Sequence, residues 1–181
     1  MLLQNYSSKW VQDFESLQDE ITKALDGLES IIEHVGSTAV PNLDAKAIID
    51  IDIVFSQKAD FEQIKAALMK IGYDHHGNQG IADRYVFKRN GGQTHEILDQ
   101  ITHHLYVCPA DSKALERHLL SRNYLRNNEW ARLKYQQMKY ELAEQANQDK
   151  KKYAALKELY VNDFIDMMVE EEKKLAVSTY K

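Results

Sequence analysis

The stretch Ile48-Ile49-Asp50-Ile51-Asp52-Ile53-Val54-Phe55 sets two carboxylates inside an otherwise apolar, β-branched run. Such runs form strands, and apolar residues at both parities mark a strand covered on both faces. Residues 47–55 are therefore expected to form an internal strand with neighbours on both sides. Side chains alternate along a strand, so Asp50 and Asp52 share one face about 7 Å apart, while Ile51 and Ile53 share the other. Two neighbouring carboxylates repel each other, and burying either one uncompensated is costly. A cation relieves both problems. Magnesium, or manganese in its place, takes oxygen ligands and is commonly held by one or two carboxylates plus the phosphates of a substrate.

Just upstream stands His34-Val35-Gly36-Ser37-Thr38-Ala39-Val40-Pro41. Glycine permits a tight turn close to a ligand, and the amides and hydroxyls at Gly36, Ser37 and Thr38 can cradle a phosphate. Neither the P-loop spacing nor Gly-x-Gly-x-x-Gly occurs, so those two phosphate sites are unsupported. His34 reads as a structural hydrogen-bonding residue.

Outward from this centre, Trp10, Phe14, Leu17, Ile21, Leu25 and Leu28 recur at steps of three and four, predicting an amphipathic helix over 9–28. Residues 31–35 read as a short strand or an extended lead-in to the turn at Gly36. Asp60 is expected to cap a helix carrying Phe61, Ile64, Leu68 and Ile71, with Gly72 at its end. Residues 84–89 alternate like a strand before the turn Asn90-Gly91-Gly92; the partner strand is 94–98, 103–108 or both. After Pro109 the apolar spacing is helical throughout, with segments around Leu115–Leu125, Ala131–Leu142 and Tyr153–Met167. An α+β fold follows: a small mixed sheet over about 31–108, an N-terminal helix, and a C-terminal helical bundle over about 111–176.

The bulk numbers set the class. The 181 residues suffice for one domain with its own core, 44% are hydrophobic and 28% charged, and the net charge is −5. A single cysteine, Cys108, forms no internal disulfide and reads as a small buried apolar residue. No apolar run reaches membrane-spanning length, and the opening Met1-Leu2-Leu3-Gln4-Asn5 has no apolar leader segment, so a cytoplasmic protein without membrane contact is expected. Residues 111–157 hold eleven Lys/Arg against six Asp/Glu. That local excess reads first as solvated helix faces laced with both signs; if Arg122, Arg126, Arg132 and Lys139 instead line the cleft opposite the sheet, they are expected to help bind a phosphorylated partner. The paired histidines 75–76 and 103–104 point to opposite strand faces, and no His-Glu-x-x-His occurs, which argues against a zinc site.

A Gly-Ser turn followed by Asp-x-Asp on a strand resembles the nucleotidyltransferase superfamily of DNA polymerase β. The segment IIEHVGSTAVPNLDAKAIIDIDIVF resembles the core motif of the GrpB family, proposed nucleotidyltransferases sometimes fused to dephospho-CoA kinase. The likeness continues through Arg84-Tyr85-Val86-Phe87, Thr102 to Val107, Asn123-Tyr124-Leu125-Arg126 and the later helices. Asn42 stands where the family usually has glycine, Ala47 where it has proline, and Tyr106 where it has the second histidine of His-Leu-His. The resemblance implies a nucleotidyltransferase-like fold with Asp50 and Asp52 as catalytic metal ligands. Gly36, Ser37, Thr38, Lys46 and Arg84 would bind a nucleoside triphosphate. The superfamily's third carboxylate has no clear counterpart; His104, ahead of Glu96, is expected in that place. The acceptor is open, a phosphorylated small molecule or RNA. The alternatives are a nucleotide- or CoA-binding module without turnover and, behind it, a metal-dependent phosphohydrolase.

Overall fold

The structure is a computed structural model and describes residues 1–178. It contains a five-stranded mixed sheet in the order β1-β2-β5-β4-β3, formed by β1 (Ile31–Val35), β2 (Ile49–Phe55), β3 (Tyr73–His75), β4 (Tyr85–Arg89) and β5 (His103–Pro109). β2 runs antiparallel to β1 and parallel to β5. The Asp-x-Asp strand is thus internal, as its apolar flanks require.

One face of the sheet packs on α1 (Lys9–Ala24), α2 (Lys58–Lys70) and the short α3 (Glu96–Gln100). Ile49, Ile51, Ile53 and Phe55 meet Leu17, Ile21, Ile64, Leu68, Leu98 and Leu105 there in a continuous buried core. The other helices are α4 (Lys113–Asn127), α5 (Glu129–Gln145) and α6 (Lys150–Ser178). Tyr124, Tyr135, Leu142, Tyr153, Val161 and Met168 form their shared core, so these tyrosines are packing residues. A small contact of Val54, Cys108 and Leu115 seats α4 on the sheet. Cys108 is fully buried, and burial pushes its thiol up to about 12, as suits an inert apolar residue.

Several local expectations shift. The first helix ends at Ala24, four residues early, before Gly27 at φ 78°. Helix α2 starts two residues before Asp60, which sits in its first turn and accepts from the Gln57 N–H at 3.2 Å instead of capping it. Residues 94–98 are not a strand. The His95 N–H donates to Asp99 Oδ2 at 2.7 Å and the Leu98 N–H to His95 Nδ1 at 3.4 Å, which winds α3 and drops Leu98 into the α1 core. Of the two expected partners only β5 pairs with β4, in register Phe87 with Leu105, and β3 covers its other edge. Asn42 has φ 61°, a left-handed conformation that asparagine accepts where glycine is usual.

Candidate functional site

The face of the sheet opposite α1 and α2 carries Asp50 and Asp52 on β2. Strand register places His104 beside Asp50 and Tyr106 beside Asp52, while Glu33 on β1 stands directly opposite Asp52. Asp52 is fully buried and Asp50 partly so. Each carboxylate takes one histidine. His104 Nδ1 lies 2.8 Å from Asp50 Oδ1, and His118 Nδ1 from α4 lies 2.7 Å from Asp52 Oδ2. Carboxylate oxygens only accept, so each Nδ1 carries the hydrogen.

Asp52 Oδ1 is a buried acceptor without a partner among the described residues. Such a group is costly unless something else meets it, and a cation would. Among these residues no group of three or more His, Cys, Asp or Glu side chains is arranged to hold a metal ion. Asp50 and Asp52 could offer a cation two carboxylates from one strand face. That fits magnesium with phosphate oxygens completing its shell, and does not fit an all-protein zinc site.

The turn after β1 shapes the other side of the site. Gly36 has φ 73° and ψ −168°, a conformation open in practice only to glycine. A Cβ there would sit 2.2 Å from Asp50 Oδ2, so the turn lies against the carboxylate. Thr38 departs from the phosphate-binding expectation. Its hydroxyl, 2% exposed, donates to the Ile48 carbonyl at 3.3 Å and lies 3.1 Å from His34 Nε2, so it locks the turn to β2 instead of facing the site. His34 stacks on Phe14 with ring centres 4.6 Å apart, in the structural role its sequence context suggested.

Lysines gather at this end. Lys139 on α5 is 1% exposed and donates to Ser37 Oγ at 3.3 Å and to the Asp44 carbonyl. Burial, together with the charge of Lys157, holds its ammonium well below the usual lysine range. Burial and Lys157 also lower Lys46, while the charge of Asp50 opposes the shift. Neither Lys46, Lys139 nor Lys157 forms an ion pair with a carboxylate among the described residues. Lys46 lies over the Tyr153 ring at 5.3 Å, and Lys157 over Tyr135 at 5.8 Å. The Asp50 charge favours the charged form of Lys46 and the Asp44 charge that of Lys139, while Tyr135, and with it the Asp50 charge, raises Lys157; lysines so grouped could take an anion.

Arg84, just ahead of β4, lies over the Tyr106 ring at 4.7 Å with its Nε buried and unpartnered. Burial and then the Asp50 charge push the Tyr106 phenol up to about 12, so it stays neutral beside the carboxylates. Glu96 lies on α3, which packs with α1 across the sheet from the aspartates, and it cannot serve as the third acid.

Of the arginines expected in the cleft, Arg122 bonds Glu33 at 2.6 Å and the His34 carbonyl at 2.8 Å. Arg126 donates to the Ala39 carbonyl and Arg132 to that of Leu125. They brace loops and helix ends, leaving Lys139 as the one of that set beside Ser37. Sequence reasoning missed His118 and Lys157. His118 lies four residues before Arg122, on the same helix face, which was the available signal.

Residues 1–171 match the family described as GrpB protein. The chain belongs to the GrpB family. UPF0157 protein YqkA of Bacillus subtilis is 35% identical over 141 residues, covering 77% of this chain and 39% of YqkA. UPF0157 protein SCO7215 of Streptomyces coelicolor is 30% identical over 155 residues, covering 86% of this chain and 77% of that protein. The chain thus spans about two fifths of YqkA, and 57% of UPF0157 protein PA4798 of Pseudomonas aeruginosa. The crystal structure of GrpB from Enterococcus faecalis superposes with TM-score 0.77 at 27% identity, covering 93% of this chain and 98% of that one. Cid1 in complex with the UTP analogue UMPNPP superposes with TM-score 0.54 at 13% identity, over 77% of this chain and 42% of Cid1. At that identity the likeness is one of fold, and the GrpB chain has a nucleotidyltransferase-like fold. No helix among the described residues is long and apolar enough to cross a membrane.

Proposed function

We propose that this GrpB protein is a magnesium-dependent nucleotidyltransferase that passes a nucleotidyl group from a nucleoside triphosphate to an acceptor hydroxyl. One observation carries the reading: the Asp50 and Asp52 pair, with a buried unmet oxygen, adjoins Lys46 and Lys157, on which the Asp50 charge acts, and Lys139 beside Ser37. Carboxylates for a cation and lysines for an anion, side by side, suit a metal-bound polyphosphate. Lys46, Lys139, Lys157 and the Ser37 hydroxyl would hold the distal phosphates, and the Gly36 turn would let them approach Asp50. Asp50 and Asp52 would hold magnesium, which when bound neutralises phosphate charge and makes the α-phosphorus more open to attack. His104 would orient Asp50 from the β5 side, and Arg84 would add positive charge across Tyr106. Because the site draws on both the sheet and α4–α6, residues 1–181 would work as one domain.

Cid1 structures are described with a UTP analogue, with MgGTP and with the short product ApU. They support a nucleoside triphosphate donor here and make RNA, beside a phosphorylated small molecule, a candidate acceptor. A second reading, a nucleotide-binding module without turnover, draws on β5: where the superfamily places a third carboxylate this chain has His104 and Tyr106.

The test titrates ATP, GTP, CTP and UTP into the wild type, D50N and D52N, with magnesium and again with EDTA, and follows pyrophosphate release. Magnesium-dependent binding is expected in the wild type and at least about tenfold weaker, roughly 1.4 kcal/mol, in either folded variant. Binding that ignores both magnesium and the substitutions would overturn the assignment. Tight magnesium-dependent binding without pyrophosphate release, across a panel of acceptors, would select the second reading.

A further inference from the structure

Asp52 and Glu33 stand directly opposite each other on antiparallel strands, where like charges repel. Helix α4 crosses over both and treats them differently. Arg122 neutralises Glu33, its Nη1 2.6 Å from Glu33 Oε2. His118, one helical turn earlier, gives Asp52 a single N–H at 2.7 Å and leaves Oδ1 unmet. One ring N–H satisfies one carboxylate oxygen and leaves the other open, whereas an arginine fork in its place could take both oxygens.

The His118 ring is held in place. Tyr106 lies 6.0 Å away, itself covered by Arg84. The Leu115 N–H donates to Ser112 Oγ at 3.3 Å, fixing the start of α4 and so the height of His118 above the sheet. Asp52 cannot relax toward water, because it is fully buried.

On the reading of Asp50 and Asp52 as cation ligands, we propose that His118 is a positioning residue: its Nδ1–H fixes the Asp52 carboxylate so that Oδ1 remains available to a divalent cation. Second-sphere bonds of this kind orient ligands, and their loss typically costs tenfold to a hundredfold in metal affinity. The cation site then depends on how α4 is docked, although α4 supplies none of its ligands.

The test uses Mn2+ alone, titrated into the nucleotide-free protein and followed by electron paramagnetic resonance of the free ion. His118→Phe keeps the ring shape and removes the donor; His118→Asn places an amide N–H near the former Nδ1. The expected result is Mn2+ affinity lowered at least about tenfold in H118F and restored to within about threefold of wild type in H118N. Thermal melting shows whether each variant is folded. Should H118F fail to fold, H118N against His118→Gln, whose longer amide misplaces the donor, carries the same comparison. Wild-type affinity in a folded variant lacking a correctly placed donor overturns the role of His118 while leaving the cation site standing. A wild type that binds Mn2+ no better than D52N overturns the cation reading itself, and the role of His118 with it.

Discussion

His34 sits at the hinge between β1 and the Gly36 turn, 8% exposed, stacked on Phe14 and bonded to Thr38. Burial drives it down to about 4 from its ordinary 6.5, against the pull of the Asp50 charge. A folded-state pKa below the unfolded one means that the unfolded chain binds the proton more readily. The stability held in neutral His34 is therefore complete above pH 6.5 and is lost as pH falls through about 4. Its full extent is of order 3 kcal/mol. Burial lowers His75 and His103 in the same direction, so the contribution must be isolated by difference. Urea unfolding between pH 7.5 and 4.5 is expected to show a shallower acid loss in His34→Gln than in the wild type. Equal slopes would remove His34 from the account.

At the scale of elements, α4 joins the layers of this fold. Its first turn begins at Ser112, 2% exposed, and its exposed face is set by the contact of Leu115 with Val54 and Cys108. Ser112→Ala removes the cap and leaves the Leu115 N–H without its partner. The expected cost is about 1 kcal/mol, read as a lower urea midpoint at unchanged slope. The arginines of α4 and α5 explain why the basic helices did not become a basic cleft. Arg122, Arg126 and Arg132 spend their donors on the Glu33 carboxylate and on backbone carbonyls at His34, Ala39 and Leu125. Guanidinium groups suit that work, since each offers several N–H donors in a fixed fork.

The whole molecule is acidic at net charge −5, yet Lys46, Lys139 and Lys157 come together from separate elements. Lys46 precedes β2, Lys139 lies on α5 and Lys157 on α6, and Ser37 reaches Lys139 from the turn after β1. Burial disfavours the charge on Lys46 and Lys139, which an arriving anion would favour. Lys139→Met keeps the length and the buried packing while removing the charge. It is expected to melt within a few degrees of the wild type, because the relief of a buried ammonium offsets its lost hydrogen bonds. Calorimetric affinity for inorganic pyrophosphate should fall at least about tenfold, or roughly 1.4 kcal/mol. Unchanged pyrophosphate affinity in a folded K139M would show that the cluster is not an anion site.

Sequence alone dictates β2 as an internal strand with Asp50 and Asp52 on one face, and puts His104 and Tyr106 on one face of their own strand. That the two pairs share a face follows from the β2–β5 pairing across 54 residues. Strand alternation and β-branched density are local properties, and no distant residue is needed to read them. The structural character of His34 was legible from its local context, whereas the glycine-like position of Asn42 was visible only through the family resemblance. The helical spacing of α4, α5 and α6 was equally plain, but spacing states only that a helix has a face. Which polar residue on that face reaches the sheet depends on how far the helix rotates and slides as its apolar side packs. His118 meets Asp52 across 66 residues of chain and Lys139 meets Ser37 across 102. Contacts at that separation leave no periodic trace in the sequence. Tertiary packing alone decided that a histidine would hold the buried aspartate, that lysines and not arginines would face Ser37, and that Glu96 would lie on the far side of the sheet.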